Sequence, residues 1–107
     1  MKLKEGLKIQ INRLTKQGIK KELCIYIETN EIQYGVIKDL KDRNYYLIHL
    51  DSGLSVGEIS IENTTLEQAT IELKEISRTI NKNMLEKGIK RKLSELEKIK
   101  GFCYPLN

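Results

Sequence analysis

The stretch that decides the fold covers residues 23–62 and has the sequence LCIYIETNEIQYGVIKDLKDRNYYLIHLDSGLSVGEISIE. Apolar residues recur at every second position in much of it, for example at Ile25 and Ile27, and this is the period of a β-strand with one buried face. Asn30 and Gly53 supply turn residues between neighbouring runs. The stretch therefore predicts a unit of four antiparallel strands.

Residues on both sides of this stretch have the period of an amphipathic helix. On the N-terminal side an i, i+4, i+8, i+11 spacing joins Leu3, Leu7, Ile11 and Leu14. On the C-terminal side a capping-box pattern at residues 64–67 precedes two further aliphatic stripes. The sequence therefore predicts a single α+β domain over residues 1–107. Its parts are an amphipathic helix (1–17), an antiparallel β unit (22–62), a helical hairpin or one long kinked helix (64–100) and an apolar tail (101–107).

The β unit contains a glycine in its second predicted strand and an acid and an asparagine before its third. The residues of this pattern are Tyr34, Gly35, Val36, Ile37, Asp42, Asn44, Leu47 and Leu50. On these residues the unit resembles the Sm-like small barrels, which implies a barrel whose acid and asparagine would meet an RNA base. The Arg-Gly pair that completes the pocket in that family has no counterpart in residues 59–63. A generic SH3-like barrel or an open four-stranded sheet explains the same strands.

Charge is segregated along the chain. Residues 1–21 have a balance of +6, residues 22–65 of −5 and residues 66–107 of +3, within a net charge of +4. The predicted strands are therefore acidic and the predicted helices basic. A polyanion would be attracted to the helices, whereas the strands would attract a basic partner.

Composition indicates the compartment. No apolar run approaches the ~18 residues that a membrane-spanning helix needs, and charged residues stand where a signal peptide would be apolar. Two cysteines, Cys24 and Cys103, are too few for a disulfide framework and fit a reducing environment. We therefore expect a cytoplasmic protein with free thiols and no membrane partner.

The sequence contains no recognisable catalytic set. His49 is the single histidine, and a half-buried place in a strand explains it better than a role as general base. Cys24, His49 and Cys103 lack the short ligand spacing that indicates a zinc site. We therefore predict a protein that is not an enzyme and uses no cofactor or metal.

A protein partner is the leading functional hypothesis. Alternation brings aromatic rings and an acid to the surface of the predicted sheet, and tyrosine is favoured at the centres of interfaces. The predicted protein-binding residues are Tyr26, Glu28, Tyr45 and His49. A terminal helix that covers this face is the alternative explanation of the same residues.

The composition also indicates what kind of regulatory protein this chain could be. A small size with many Lys, Ile, Asn and Glu residues is typical of accessory proteins of phages and other mobile elements, including inhibitors of host defence nucleases. We therefore expect regulation by stoichiometric contact. The stripes of residues 64–100 hold more aliphatic surface than a four-stranded sheet can cover, and they predict a homodimer through the C-terminal helices.

Nucleic acid is the alternative partner. The predicted nucleic-acid-binding residues are Lys4, Lys8, Arg13 and Lys16 on the first predicted helix and Lys87, Lys90, Arg91 and Lys92 on the last. If these residues align, their contacts with phosphates would give a salt-dependent affinity for RNA or DNA. A solvated helix face with pairs such as Glu86 and Lys90 explains the same charges.

Overall fold

The computed structural model describes residues 4–97, in which five strands precede two helices. The elements are β1 (Lys8–Thr15), β2 (Gly18–Thr29), β3 (Ile32–Asp39), β4 (Asn44–His49), β5 (Ser55–Ser60), α1 (Leu66–Ser77) and α2 (Lys82–Glu97). Each strand pairs antiparallel with the next, in the order β1-β2-β3-β4-β5. The predicted antiparallel sheet and C-terminal helices are confirmed. The predicted tail 101–107, with Cys103, lies outside the described residues.

The predicted N-terminal helix over residues 1–17 is wrong, because this segment contributes strand β1. Ile11 and Arg13 are buried on one side of β1, whereas Asn12 between them is exposed. The strand period was hidden because a charged residue, Arg13, occupies an inward position. Gly18, the residue after the predicted helix, begins β2 with a φ of 106°. The sheet therefore has five strands rather than the predicted four.

Tight connections with left-handed backbone geometry join several strands. Asn30 and Glu31 form the two-residue turn between β2 and β3, with φ values of 53° and 65°. Gly53 lies in the connection between β4 and β5 with a φ of 73°. The β4–β5 register shifts between Leu47 and Ile48, which marks a bulge.

One face of the sheet carries the main core and packs against the helices. This core contains Ile27, Ile32, Tyr34, Val36, Tyr45, Leu47, Ala69, Leu73 and Leu85. The hydroxyl groups of Ser77 in α1 and Thr29 in β2 are hydrogen-bonded to each other at 2.8 Å and are buried. This bond holds the C-terminal end of α1 on the sheet.

The opposite face has a smaller core of Ile11, Cys24, Ile37 and Ile48. A Cβ atom at Gly35 would lie 2.4 Å from Cys24 Sγ, so the two strands approach closely at this point because residue 35 is glycine. Burial raises the pKa of the Cys24 thiol to about 11. The thiol is therefore protonated at neutral pH and acts as a packing group.

The end of β1 contacts the connection between β4 and β5. The backbone N–H of Leu14 donates to the carbonyl oxygen of Gly53. The side chains of Leu14, Leu54 and Leu96 form a third apolar cluster, which brings the end of α2 to the same place. The sheet is therefore curved enough for β1 to approach the far hairpin.

Side-chain caps mark the starts of both helices. Thr65 Oγ1 accepts a 3.1 Å hydrogen bond from Gln68 N, and Asn81 Oδ1 accepts a 2.9 Å bond from Met84 N. Of the two arrangements predicted for residues 64–100, the structure has two separate helices.

Candidate functional site

The residues predicted to bind a protein are divided between the two faces of the sheet. Tyr26 is fully buried on the face of the smaller core, where its hydroxyl donates to Glu28 at 3.2 Å. Tyr45 is buried on the helix-covered face, and its hydroxyl donates to the Thr64 carbonyl at 2.8 Å. The predicted aromatic surface therefore does not form, because both rings are covered by the protein itself.

His49, the fourth of these residues, is also buried. Its Nδ1 lies 2.8 Å from Ser52 Oγ, and its ring packs edge-on against Tyr34 with the centroids 6.4 Å apart. Burial lowers the pKa of His49, and the negative charge of Asp51 opposes this effect. The imidazole is therefore held in its neutral form, as a structural part of the sheet.

The basic residues predicted to bind nucleic acid do not share one helical surface. On β1 and its flanks lie Lys4, Lys8, Arg13 and Lys16, and on α2 lie Lys87, Lys90, Arg91 and Lys92. The first group is wrongly placed in the prediction, because no helix forms there. Lys87, Lys90 and Arg91 are exposed on α2.

Arg13 is the centre of a partly buried polar cluster. Its Nη1 lies 2.7 Å from Asp39 Oδ2 and 3.3 Å from Glu22 Oε1, and its guanidinium lies 4.7 Å from the ring centroid of Tyr46. The Tyr46 hydroxyl in turn donates to Asp42 at 2.8 Å. Two carboxylates neutralise the charge of Arg13, so this residue stabilises the fold and is not available to a phosphate.

A groove of 350 Å³ lies between strand β5 and helix α2. Its apolar walls come from Val56 on the strand and from Ile80, Met84 and Leu85 on the helical side. Met84 is 57% exposed although it lines the groove. An apolar surface of this kind next to a strand is a candidate binding site.

Lys92 lines the groove beside the first residue of β5. Its Nζ donates to the Ser55 carbonyl oxygen and, at 3.1 Å, to Ser55 Oγ. Partial burial lowers the pKa of Lys92, although Glu58 and Glu95 act in the opposite direction. Lys92 therefore serves as a bridge between α2 and β5.

Strand β5 is at the edge of the sheet, since among residues 4–97 it pairs with β4 alone. Alternate residues of an edge strand direct their N–H and C=O groups away from the sheet. Ile76, which is 36% exposed, lies close to Gly57 of this strand. The site therefore combines unpaired strand edge with apolar side chains.

Sequence reasoning missed this groove although it identified the elements that form it. Ile80 and Leu85 belong to the predicted helical stripes, and Val56 belongs to the last predicted strand. The surplus aliphatic surface of residues 64–100 was assigned to a homodimer interface and not to a groove beside the last strand. The signal that was available is the break at Asn81, which separates the helices and lets α2 take its own position beside β5.

Comparison with models of protein families, with curated proteins and with solved structures found no match for this chain. The Sm-like resemblance of the β unit therefore stays a prediction. Within residues 4–97, no group of three or more His, Cys, Asp or Glu side chains is placed to hold a metal ion. None of the described helices has the length and apolar character needed to cross a membrane.

Proposed function

We propose that this chain is a non-enzymatic binding protein that regulates a protein partner by stoichiometric contact. In this proposal the partner binds in the groove between β5 and α2. The proposal keeps the class of function expected from the sequence and moves it to a different surface.

The observation that supports the proposal is that an apolar groove adjoins the edge of a sheet. Strand addition to a free edge supplies main-chain hydrogen bonds for affinity, and neighbouring pockets for alternate side chains supply specificity. Strand β5 and the groove lined by Val56 and Met84 provide these two elements side by side.

The occupant is an extended segment of the partner protein with apolar side chains at alternate positions. Such a segment pairs with the edge of β5 beyond Ser55, whose carbonyl already accepts from Lys92, and fills the groove at the same time. A helix fills the groove and leaves the edge unpaired. Side chains on one side of a strand are about 6.6 Å apart. Consecutive apolar side chains of the segment would therefore enter the groove one after another along β5. The exposed carboxylate of Glu58 on the groove wall favours a basic residue in the segment.

The experiment is a selection of random peptides displayed on phage against the purified full chain. Selected sequences should alternate apolar and polar residues, and the corresponding synthetic peptides should bind with a stoichiometry of about one per chain by calorimetry. Hydrogen exchange should slow at the backbone amides of β5 when a peptide is bound.

A matched pair of variants locates the binding surface. Met84→Lys places a charge in the groove at a residue that is 57% exposed, and Ile71→Lys places one on α1, outside the groove, at a residue that is 55% exposed. Met84→Lys should weaken peptide binding about tenfold or more. Ile71→Lys should leave the affinity within about twofold of the wild-type value.

Two results would overturn the proposal. One is peptide binding that Met84→Lys and Ile71→Lys weaken equally, which places the contact elsewhere. The other concerns the predicted homodimer. A light-scattering mass of twice the 12.4 kDa of one chain, reduced to one chain by Met84→Lys, would assign the groove to a second copy of the protein.

A further inference from the structure

A second cavity, with a volume of 640 Å³, opens beside the first. It lies between the turn that follows β1, the connection that follows β3 and the C-terminal part of α2. Ser55 and Lys92 line both cavities. The second cavity falls within the roughly 300–1,000 Å³ that is common for sites that bind small molecules.

Lysines from separate parts of the chain meet at this cavity. Lys16 and Lys20 come from the β1–β2 hairpin, and Lys41 comes from the β3–β4 connection. All three are exposed, and none has an ion-pair partner among the acids in residues 4–97. Their charges are therefore available to a ligand.

The carboxylates that line the same cavity are already engaged or lie at its helical side. Asp39 accepts the 2.7 Å bond from Arg13, and Asp42 accepts the 2.8 Å bond from the Tyr46 hydroxyl. Glu95 lies on α2, and its charge partly opposes the lowering of the Lys92 pKa by burial. Five cationic side chains and three carboxylates line the cavity, so positive charge is in excess.

We propose that this cavity binds a phosphorylated small molecule. Lys16, Lys20 and Lys41 hold the phosphate, because ammonium groups on flexible stems act as point charges that converge on a phosphate dianion. The rest of the molecule lies against Leu14, Leu54 and the ring of Tyr46, which supply an apolar wall. This site adjoins the peptide groove, but its three lysines do not line that groove, and the proposal does not rest on the proposed function.

The limited volume of the cavity, 640 Å³, favours a small ligand over a nucleic-acid strand. A strand needs a track of cations along its backbone. The remaining basic residues of α2, namely Lys82, Lys87, Lys90 and Arg91, do not line the cavity. A single phosphate can therefore contact all three converging lysines, whereas the phosphates of a nucleic-acid strand would extend beyond them.

The experiment is a titration of the full chain with AMP, adenosine and inorganic phosphate, followed by NMR chemical shifts and calorimetry at low salt. AMP should bind saturably, phosphate should compete with it, and adenosine should bind at least tenfold more weakly. The triple variant Lys16→Gln, Lys20→Gln, Lys41→Gln should weaken AMP binding by at least tenfold.

The matched control removes the same number of charges from α2. The variant Lys87→Gln, Lys90→Gln, Arg91→Gln should bind AMP within twofold of the wild-type affinity. Thermal unfolding should show both variants folded, because all six side chains are exposed. Equal binding of adenosine and AMP, no saturable binding of AMP, or equal effects of the two triple variants would each overturn the proposal. So would tighter binding of a single-stranded oligonucleotide that both variants weaken equally, because this result indicates a polyanion surface.

Discussion

The backbone N–H of Leu14 donates a 2.7 Å hydrogen bond to the carbonyl oxygen of Gly53. This bond joins the first strand to the last hairpin of the sheet. Gly53 has a φ of 73°, and a Cβ atom there would lie 2.6 Å from the carbonyl oxygen of Asn12. The contact therefore depends on a residue without a side chain.

Gly53→Ala should lower the free energy of unfolding by about 2 kcal/mol or more, because left-handed strain is added to a steric clash. Gly18→Ala is the matched control, since Gly18 has a φ of 106° but no atom within 4 Å of an added Cβ. Urea unfolding of both variants separates the cost of the left-handed backbone strain from the cost of the steric clash. Equal losses of unfolding free energy in the two variants would mean that the backbone at Asn12 moves away from the added Cβ atom without a measurable cost.

Removal of Arg13 should be among the most damaging changes in the chain. Arg13→Met leaves the partly buried carboxylate of Asp39 without its cation and should cost about 2–3 kcal/mol of unfolding free energy, somewhat less than the loss expected for a fully buried pair. Adding Asp39→Asn to this variant should recover part of the loss. Denaturant unfolding of the double-mutant cycle measures the coupling.

The control for this cycle is the exposed pair of Arg43 and Glu62, whose charged atoms are 3.8 Å apart. Glu62→Gln should change the unfolding free energy by about 0.5 kcal/mol or less. A similarly small effect of Arg13→Met would show that the cluster is not a stabilising unit.

Acid should destabilise the protein through His49. Because burial lowers its pKa in the folded state, the unfolded chain binds the proton more readily. The stabilising contribution is complete above the ordinary pKa of about 6.5 and is lost as the pH falls below it, by up to about 1.4 kcal/mol per pH unit. His49 is the single histidine, so His49→Gln should remove this dependence between about pH 5 and 7. An unchanged slope in that variant would contradict the assignment.

Tyr34 offers a route to higher stability. Its hydroxyl oxygen is buried and has no hydrogen-bond partner within residues 4–97. Tyr34→Phe should therefore raise the free energy of unfolding by about 1 kcal/mol. Tyr45→Phe is the counterpart, since it loses the 2.8 Å bond to Thr64 and should lower stability by about 1 kcal/mol. Thermal unfolding compares them, and a destabilised Tyr34→Phe would indicate a partner for the hydroxyl.

Local hydrophobic periodicity was sufficient to predict the elements whose inward-facing residues carry no charge. Ile25 and Ile27 alternate without a charged residue at an inward position. The helix predicted from the pattern at residues 64–67 does form, although its cap is Thr65 rather than Thr64. The first strand was misassigned because Arg13 lies inward, and its place depends on the distant Asp39. No local pattern reveals a pair of residues that far apart in the chain.

The candidate sites were less accessible to sequence reasoning than the fold. Met84 lies next to the aliphatic stripe that begins at Leu85, and its place in the groove depends on how α2 is positioned against β5. Lys16 was identified as a phosphate contact, but on a helix that does not form. Its convergence with Lys41 follows from the curvature of the sheet, which sequence patterns do not record.

The order of strands in this sheet also has a consequence for folding. Each strand pairs with its neighbour in the chain, so the sheet can assemble one hairpin at a time with little entropy lost in closing loops. The backbone hydrogen bond between Leu14 and Gly53 differs from these pairings, because it spans all the intervening strands. We therefore expect it to form last, as the step that converts a row of hairpins into a cooperative unit.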